Sequence, residues 1–207
     1  MKTAIATKGL RGALGALLVA SLIGGLSAPA RALSPSQTKV PGVARVMMPL
    51  LNEYWSKKLG NKYRAPQVFG YTTRVKTPCG RAVLGNSFYC PKNESIYLDM
   101  RWHNKLIREI GDYASALILA HEWGHHIQKI LKWPYRKLRG QKFELQADCF
   151  AGMATYYAKK IGRLAFGDLR EANYLLARSG SRSHGSGFWR KASFQDGLLL
   201  HDMFFCK

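Results

Sequence analysis

In the run His121-Glu122-Trp123-Gly124-His125, two imidazoles lie four residues apart with a carboxylate between them. Further on, Glu144-Leu145-Gln146-Ala147-Asp148 supplies two more carboxylates, also four residues apart. Residues four apart on an α-helix share a face, so His121 and His125 can direct their rings at one ion. Imidazole nitrogen suits Zn²⁺, at about 2.0–2.1 Å. Two histidines bind weakly, and Glu144 is the candidate third ligand. That set leaves the fourth tetrahedral position open to water, the arrangement of hydrolytic rather than structural zinc sites. Glu122, beside a ligand but turned from the ion, is the candidate general base for that water, whose pKa zinc lowers towards about 7. Asp148 is placed to accept the outer ring N–H of a ligand histidine, His121 before His125, and so to fix its tautomer. The expected cofactor is one Zn²⁺ per chain.

The other histidines divide. His126 points about 100° away from His125 and reads as a packing residue. His103 and His201 have no partner pattern. His184, in Ser183-His184-Gly185-Ser186-Gly187, sits on a glycine-flanked loop. It is either a catalytic donor to a developing oxyanion or an ordinary loop residue. Trp102, Trp123, Trp133 and Trp189 read as core or cleft-wall residues.

These side chains need helices to carry them. Residues 113–131 are apolar nearly all round (Ala114, Ala116, Leu117, Ile118, Leu119, Ala120), which predicts a buried helix, stopped by Pro134. Residues 143–161 form the next helix, folded back across the turn at 132–140. Gly124 allows close approach of another element to the first helix. Helices are also predicted at 43–59, 103–110, 168–177 and 189–200, with a loop at 179–187. Strand patterns appear at 66–73, 87–90 and 95–99, with turns at Gly85-Asn86 and Pro91-Lys92-Asn93. The 95–99 strand, just before the site helix, is the expected place for an extended substrate to pair. The order is helix, small β-rich segment, then helices: an α+β domain, mainly helical, with a small sheet or hairpin before the site helix.

The N-terminus reads as an export signal. Lys2, Lys8 and Arg11 precede an uncharged apolar stretch at 13–26, and Ala28-Pro29-Ala30 and Ala30-Arg31-Ala32 offer small-residue cleavage sites. The expectation is a signal peptide over residues 1–32 and one domain over 33–207, with a short linker around 34–38, in a periplasmic or extracellular protein. An uncleaved segment would instead anchor it to the membrane, although the stretch is shorter than the roughly 20 residues of a spanning helix. The net charge is +20, with the densest basic cluster at 132–139. Such a field favours association with an anionic envelope or membrane surface. No nucleic-acid fold signature accompanies it, so no specific nucleic-acid partner is expected. Cys79, Cys90, Cys149 and Cys206 are an even set that suits two disulfides in an exported chain. Three pairings are open. Cys79 with Cys90 would close a short loop, and Cys149 with Cys206 would tie a late segment beside Glu144. No Cys-x-x-Cys spacing points to a cysteine zinc site.

His121-Glu122-Trp123-Gly124-His125-His126-Ile127-Gln128, Glu144-Leu145-Gln146-Ala147-Asp148-Cys149-Phe150-Ala151-Gly152, Thr77-Pro78-Cys79-Gly80 and Phe88-Tyr89-Cys90-Pro91 resemble the bacterial putative neutral zinc metallopeptidase family. So do Gly167-Asp168-Leu169-Arg170-Glu171-Ala172 and Ser183-His184-Gly185-Ser186. The resemblance spans residues 71–206. It implies a zincin-like fold, ligands His121, His125 and Glu144, catalytic Glu122, and the family's paired cysteines. The chain departs from it before the Ser-His-Gly motif, where Ser179-Gly180-Ser181-Arg182 stands in place of an acidic loop. The resulting expectation is an exported zinc endopeptidase acting on peptides or proteins, with hydrolysis of a non-peptide amide chemically equivalent. The competing reading is a basic envelope-binding protein with a structural metal.

Overall fold

The computed structural model describes residues 42–132 and 140–206. The expected signal segment at 1–32, the linker at 34–38, Trp133, Pro134 and the basic cluster beyond Lys132 lie outside the described residues. The architecture is built around α3 (Asp112–Leu131), whose residues from Tyr113 to Gln128 are all buried. A helix with no polar stripe must be covered on every side. Helices α1 (Gly42–Leu59), α2 (Met100–Glu109), α4 (Gln141–Lys160) and α5 (Asp168–Arg178) pack against it, as do two strands. The last helix, α6 (Gly187–Leu200), lies on α4. Described elements from α1 to α6 feed one hydrophobic core, with Trp55, Trp123, Phe150 and Phe194 among its largest side chains.

The sheet has the order β1-β5-β4. Strand β1 (Gln67–Tyr71) runs parallel to β5 (Ser95–Asp99), with Gln67 opposite Ser95 and Tyr71 opposite Asp99. Strand β4 (Phe88–Cys90) runs antiparallel to β5, with Cys90 opposite Ser95. A separate hairpin joins β2 (Val75–Thr77) and β3 (Gly80–Ala82). The layout is α+β and zincin-like, mainly helical with the small sheet ahead of α3. One expectation is overturned: β5 is the central strand, so both of its hydrogen-bonding edges are taken and it cannot receive a substrate. The strand bordering the cleft is β4. Trp189 is also not a core residue, since it is 57% exposed.

Three devices fix α2 and α3. Asp99, the last residue of β5, caps α2 by accepting from the Arg101 and Trp102 N–H groups at 2.9 and 3.4 Å, and its other oxygen accepts from the Gly85 N–H at 2.5 Å. Glu171 of α5 accepts from the Tyr113 N–H at 2.9 Å, placing a carboxylate at the positive end of α3. His126, fully buried, donates from Nε2 to the Arg64 carbonyl at 2.7 Å and pairs through Nδ1 with the Tyr89 hydroxyl at 3.0 Å. It therefore packs, as its position on the helix predicted, and it clamps α3 to β4.

Two close helix contacts matter for the site. A Cβ at Gly124 would stand 2.8 Å from the Ala147 carbonyl oxygen, so α3 and α4 meet backbone to backbone between His121 and His125 on one helix and Glu144 and Asp148 on the other. A Cβ at Gly197 would stand 1.9 Å from the Cys149 carbonyl oxygen, so α6 is equally close to α4. The cysteines take one of the three pairings open to them: Cys79–Cys90 and Cys149–Cys206. Among the described residues, no helix is long and apolar enough to cross a membrane.

Candidate functional site

His121 and His125 lie one turn apart on α3, with ring centroids 4.7 Å apart and nearly perpendicular. Glu144, in the first turn of α4, brings Oε2 to 3.2 Å from His121 Nε2 and 3.4 Å from His125 Nε2. Ligand atoms of these three residues all lie within 4.8 Å of one another. The close crossing at Gly124 lets α4 present Glu144 to both histidines at once.

The outer nitrogens decide what the inner ones can do. His121 Nδ1 is 2.7 Å from Asp148 Oδ1, an acceptor-only atom, so Nδ1 carries the proton. His125 Nδ1 is 2.8 Å from Gln128 Oε1. The Gln128 amide cannot be reversed, because its Nε2 donates to the Phe143 carbonyl at 2.7 Å and to Gln146 Oε1 at 3.0 Å. Gln146 is oriented in turn by donating to the Cys206 carbonyl at 2.6 Å. Each Nε2 is therefore the atom that faces the Glu144 oxygen, and in a neutral ring it offers its lone pair there. Two lone pairs and a carboxylate oxygen at 3.2–3.4 Å repel one another unless a cation lies among them. That donor set, two imidazoles and one carboxylate, fits Zn²⁺.

The titration behaviour shows the same demand for positive charge. Burial disfavours a charge on His121, but Asp148, with Glu144 and Glu122, outweighs it and pushes the pKa up to about 10. Burial would raise Glu144, yet its contacts with His121 and His125 hold it far below the usual carboxylate range. Glu122 goes the other way. Burial pushes it up against the pull of His121 and His125, with Glu144 adding to the rise. Its carboxylate also accepts from the backbone N–H of Tyr89 on β4.

These groups open onto a cleft of about 260 Å³ walled by Asn86, Ser87, Phe88 and Tyr89 on one side and Phe143 and His184 on the other. Phe143 stacks on the His125 ring at 4.8 Å. His184 is half-buried, with Nε2 3.4 Å from Glu144 Oε2 and Nδ1 2.9 Å from the hydroxyls of Ser181 and Ser183. If those hydroxyls donate to Nδ1, Nε2–H is a donor facing the cleft. A larger apolar cavity of about 610 Å³, lined by α1, α3 and α4, contains none of these residues. The acids Asp112, Asp168 and Glu171 also cluster, but at helix N-termini, where Glu171 and Asp168 accept backbone N–H groups.

Three supporting residues escaped the sequence reading. Gln128 and Gln146 orient His125. Arg190, from α6, grips Asp148 with Nε and Nη2 at 2.8 Å each. Gln128 could have been found from its place three residues after His125 on one helix. Nothing local marked Arg190.

Residues 27–183 match the family described as putative neutral zinc metallopeptidase. The Escherichia coli K12 protein named "Uncharacterized protein YpfJ" is 31% identical over 163 residues, covering 69% of this chain and 56% of that protein. "Uncharacterized protein Rv2575" of Mycobacterium tuberculosis H37Rv is 33% identical over 112 residues, 48% of this chain and 38% of its own length. The matched part of the chain thus covers little more than half of the first relative's length and well under half of the second's. No solved structure matches it.

Proposed function

The chain belongs to the putative neutral zinc metallopeptidase family, and from that premise we propose that it is an exported zinc-dependent peptidase that hydrolyses peptide bonds. The observation that carries the proposal is the convergence of His121, His125 and Glu144 beside a buried, raised-pKa carboxylate on an open cleft. His121 Nε2, His125 Nε2 and a Glu144 oxygen would hold one Zn²⁺. Bound there, zinc polarises a scissile carbonyl and lowers the pKa of water to about 7. Glu122 is the base: its raised pKa suits it to take a proton and pass it on to the leaving amine. His184 Nε2–H is a donor to the developing oxyanion across the cleft. An extended peptide would lie along β4, whose Phe88 and Tyr89 wall the cleft.

Several features support the wider reading. Two disulfides suit an oxidising compartment. The +20 charge suits association with an anionic envelope or membrane surface. A structural metal site is usually closed by four protein ligands. Here an acid of raised pKa and a cleft adjoin the three-ligand set, which favours catalysis.

The test compares wild type with Glu122→Gln for zinc content and for cleavage of a peptide library. Both are expected to hold one zinc per chain, with cleavage reduced about 10²–10⁴-fold in the variant. A zinc-loaded variant that cleaves as well as wild type removes the catalytic role of Glu122. A wild type without zinc or hydrolysis overturns the proposal.

A further inference from the structure

We propose that Arg190 is the positioning residue of this centre: one guanidinium sets the plane of Asp148, and through it the His121 ring, while holding the start of the loop that carries His184. The inference rests on the zinc reading above. Arg190 is only 5% exposed and Asp148 is fully buried. Nε meets Oδ2 at 2.8 Å and Nη2 meets Oδ1 at 2.8 Å, a two-point fork. Such a fork fixes the carboxylate plane as well as its charge. Oδ1 is the same atom that stands 2.7 Å from His121 Nδ1. The orientation of the ligand ring therefore depends on a plane that Arg190 determines.

The third nitrogen reaches elsewhere. Nη1 donates to the Ser179 carbonyl at 3.1 Å and to its hydroxyl at 3.0 Å. Ser179 closes α5 and begins the loop in which Ser181 and Gly185 exchange two backbone hydrogen bonds of 2.9 Å. His184 lies inside that exchange. One side chain thus joins the ligand His121 on α3 to the donor His184 opposite it.

A buried ion pair could serve only to fasten α6 to α4. That interface already has the backbone contact at Gly197, another at Gly152 and the buried Phe194, and the Cys149–Cys206 disulfide ties the segment after α6 to α4. The fork is aimed instead at the carboxylate that receives the outer ring N–H of a ligand histidine. Lysine would keep the charge and lose the plane.

The experiment measures zinc affinity by chelator competition on folded, oxidised protein, alongside the thermal midpoint of the zinc-free form. The proteins are wild type, Arg190→Lys and Arg190→Gln, both of which leave Asp148 in place. Affinity is expected to fall about 10–100-fold in both variants, the usual effect of losing a partner of a ligand histidine. In Arg190→Lys, the ¹H and ¹⁵N shifts of the His121 Nδ1–H that faces Asp148 should move in the zinc-free protein, because the carboxylate plane that receives it is no longer fixed. If Arg190→Lys fails to fold, Arg190→Gln carries the test, since its amide can donate to one Asp148 oxygen but cannot fork across both. Wild-type affinity in the folded variants, whatever happens to the midpoint, overturns the role of Arg190 alone. A wild type that takes no zinc overturns the reading beneath it.

Discussion

Replacing His103 with glutamine should change how stability depends on pH. His103 is fully buried on α2, with Nδ1 2.7 Å from the Ser115 hydroxyl of α3 and Nε2 3.1 Å from the Ser87 hydroxyl at the cleft wall. Burial lowers its pKa from 6.5 to about 4, against a weaker pull from Asp99. The folded pKa lies below the unfolded one, so the unfolded chain takes up the proton first as pH falls. The contribution to stability is complete above pH 6.5, declines from there, and is gone below about 4. At roughly 1.4 kcal/mol per pH unit, that interval is worth about 3 kcal/mol. Urea unfolding from pH 7.5 to 4, in chelator and with disulfides intact, measures it. Groups common to both proteins cancel in the difference. Wild type should lose about 3 kcal/mol more than His103→Gln across the interval. Parallel curves would mean that the imidazole is not held neutral between the two hydroxyls, and the argument from burial would fail.

Three further outcomes follow from the same geometry. Zinc at one hundred times its dissociation constant should stabilise the protein by about 2.7 kcal/mol, and Glu144→Ala should abolish most of that shift in a thermal melt. Loop entropy ranks the disulfides: removing Cys149–Cys206, which spans 57 residues, should cost about 4 kcal/mol, and removing Cys79–Cys90, which spans 11, about 3 kcal/mol by denaturant unfolding. Gly197→Ala should destabilise by about 1–3 kcal/mol or more, despite alanine's better helix propensity, because its Cβ would meet the Cys149 carbonyl at 1.9 Å; a stabilised variant would show that the helices separate freely.

The parts of this molecule legible in its sequence are those that one helix determines. The four-residue spacings of His121 with His125 and of Glu144 with Asp148 needed only helical geometry, and the apolar run through residues 114–120 announced that α3 is covered all round. Whatever depended on distant partners was not legible. The sequence of β5 identified a strand but not its central place, because that is set by pairing with β1 and β4. The three-residue strands β2 and β3 are too short for alternation to register. Arg190 carries no periodic signal, since its significance lies in an acid on another helix. Trp189 was misjudged by type: large aromatic residues are usually covered, and this one stands at the exposed start of α6.

Two supports of the candidate centre, Arg190 and the Cys206 carbonyl, come later in the chain than its ligands. A polypeptide emerges from its N-terminus, so α3 and α4 can meet at Gly124 while α6 has yet to appear. At that stage Asp148 lacks its guanidinium, and Gln146 lacks the Cys206 carbonyl that orients it. A nascent chain would thus carry all three ligands without the geometry that makes them a tight site. Completion waits for α6 to dock and for Cys206 to find Cys149. Asp148, Gln128 and Gln146 thus precede in the chain the groups that hold Asp148 and Gln146 in place.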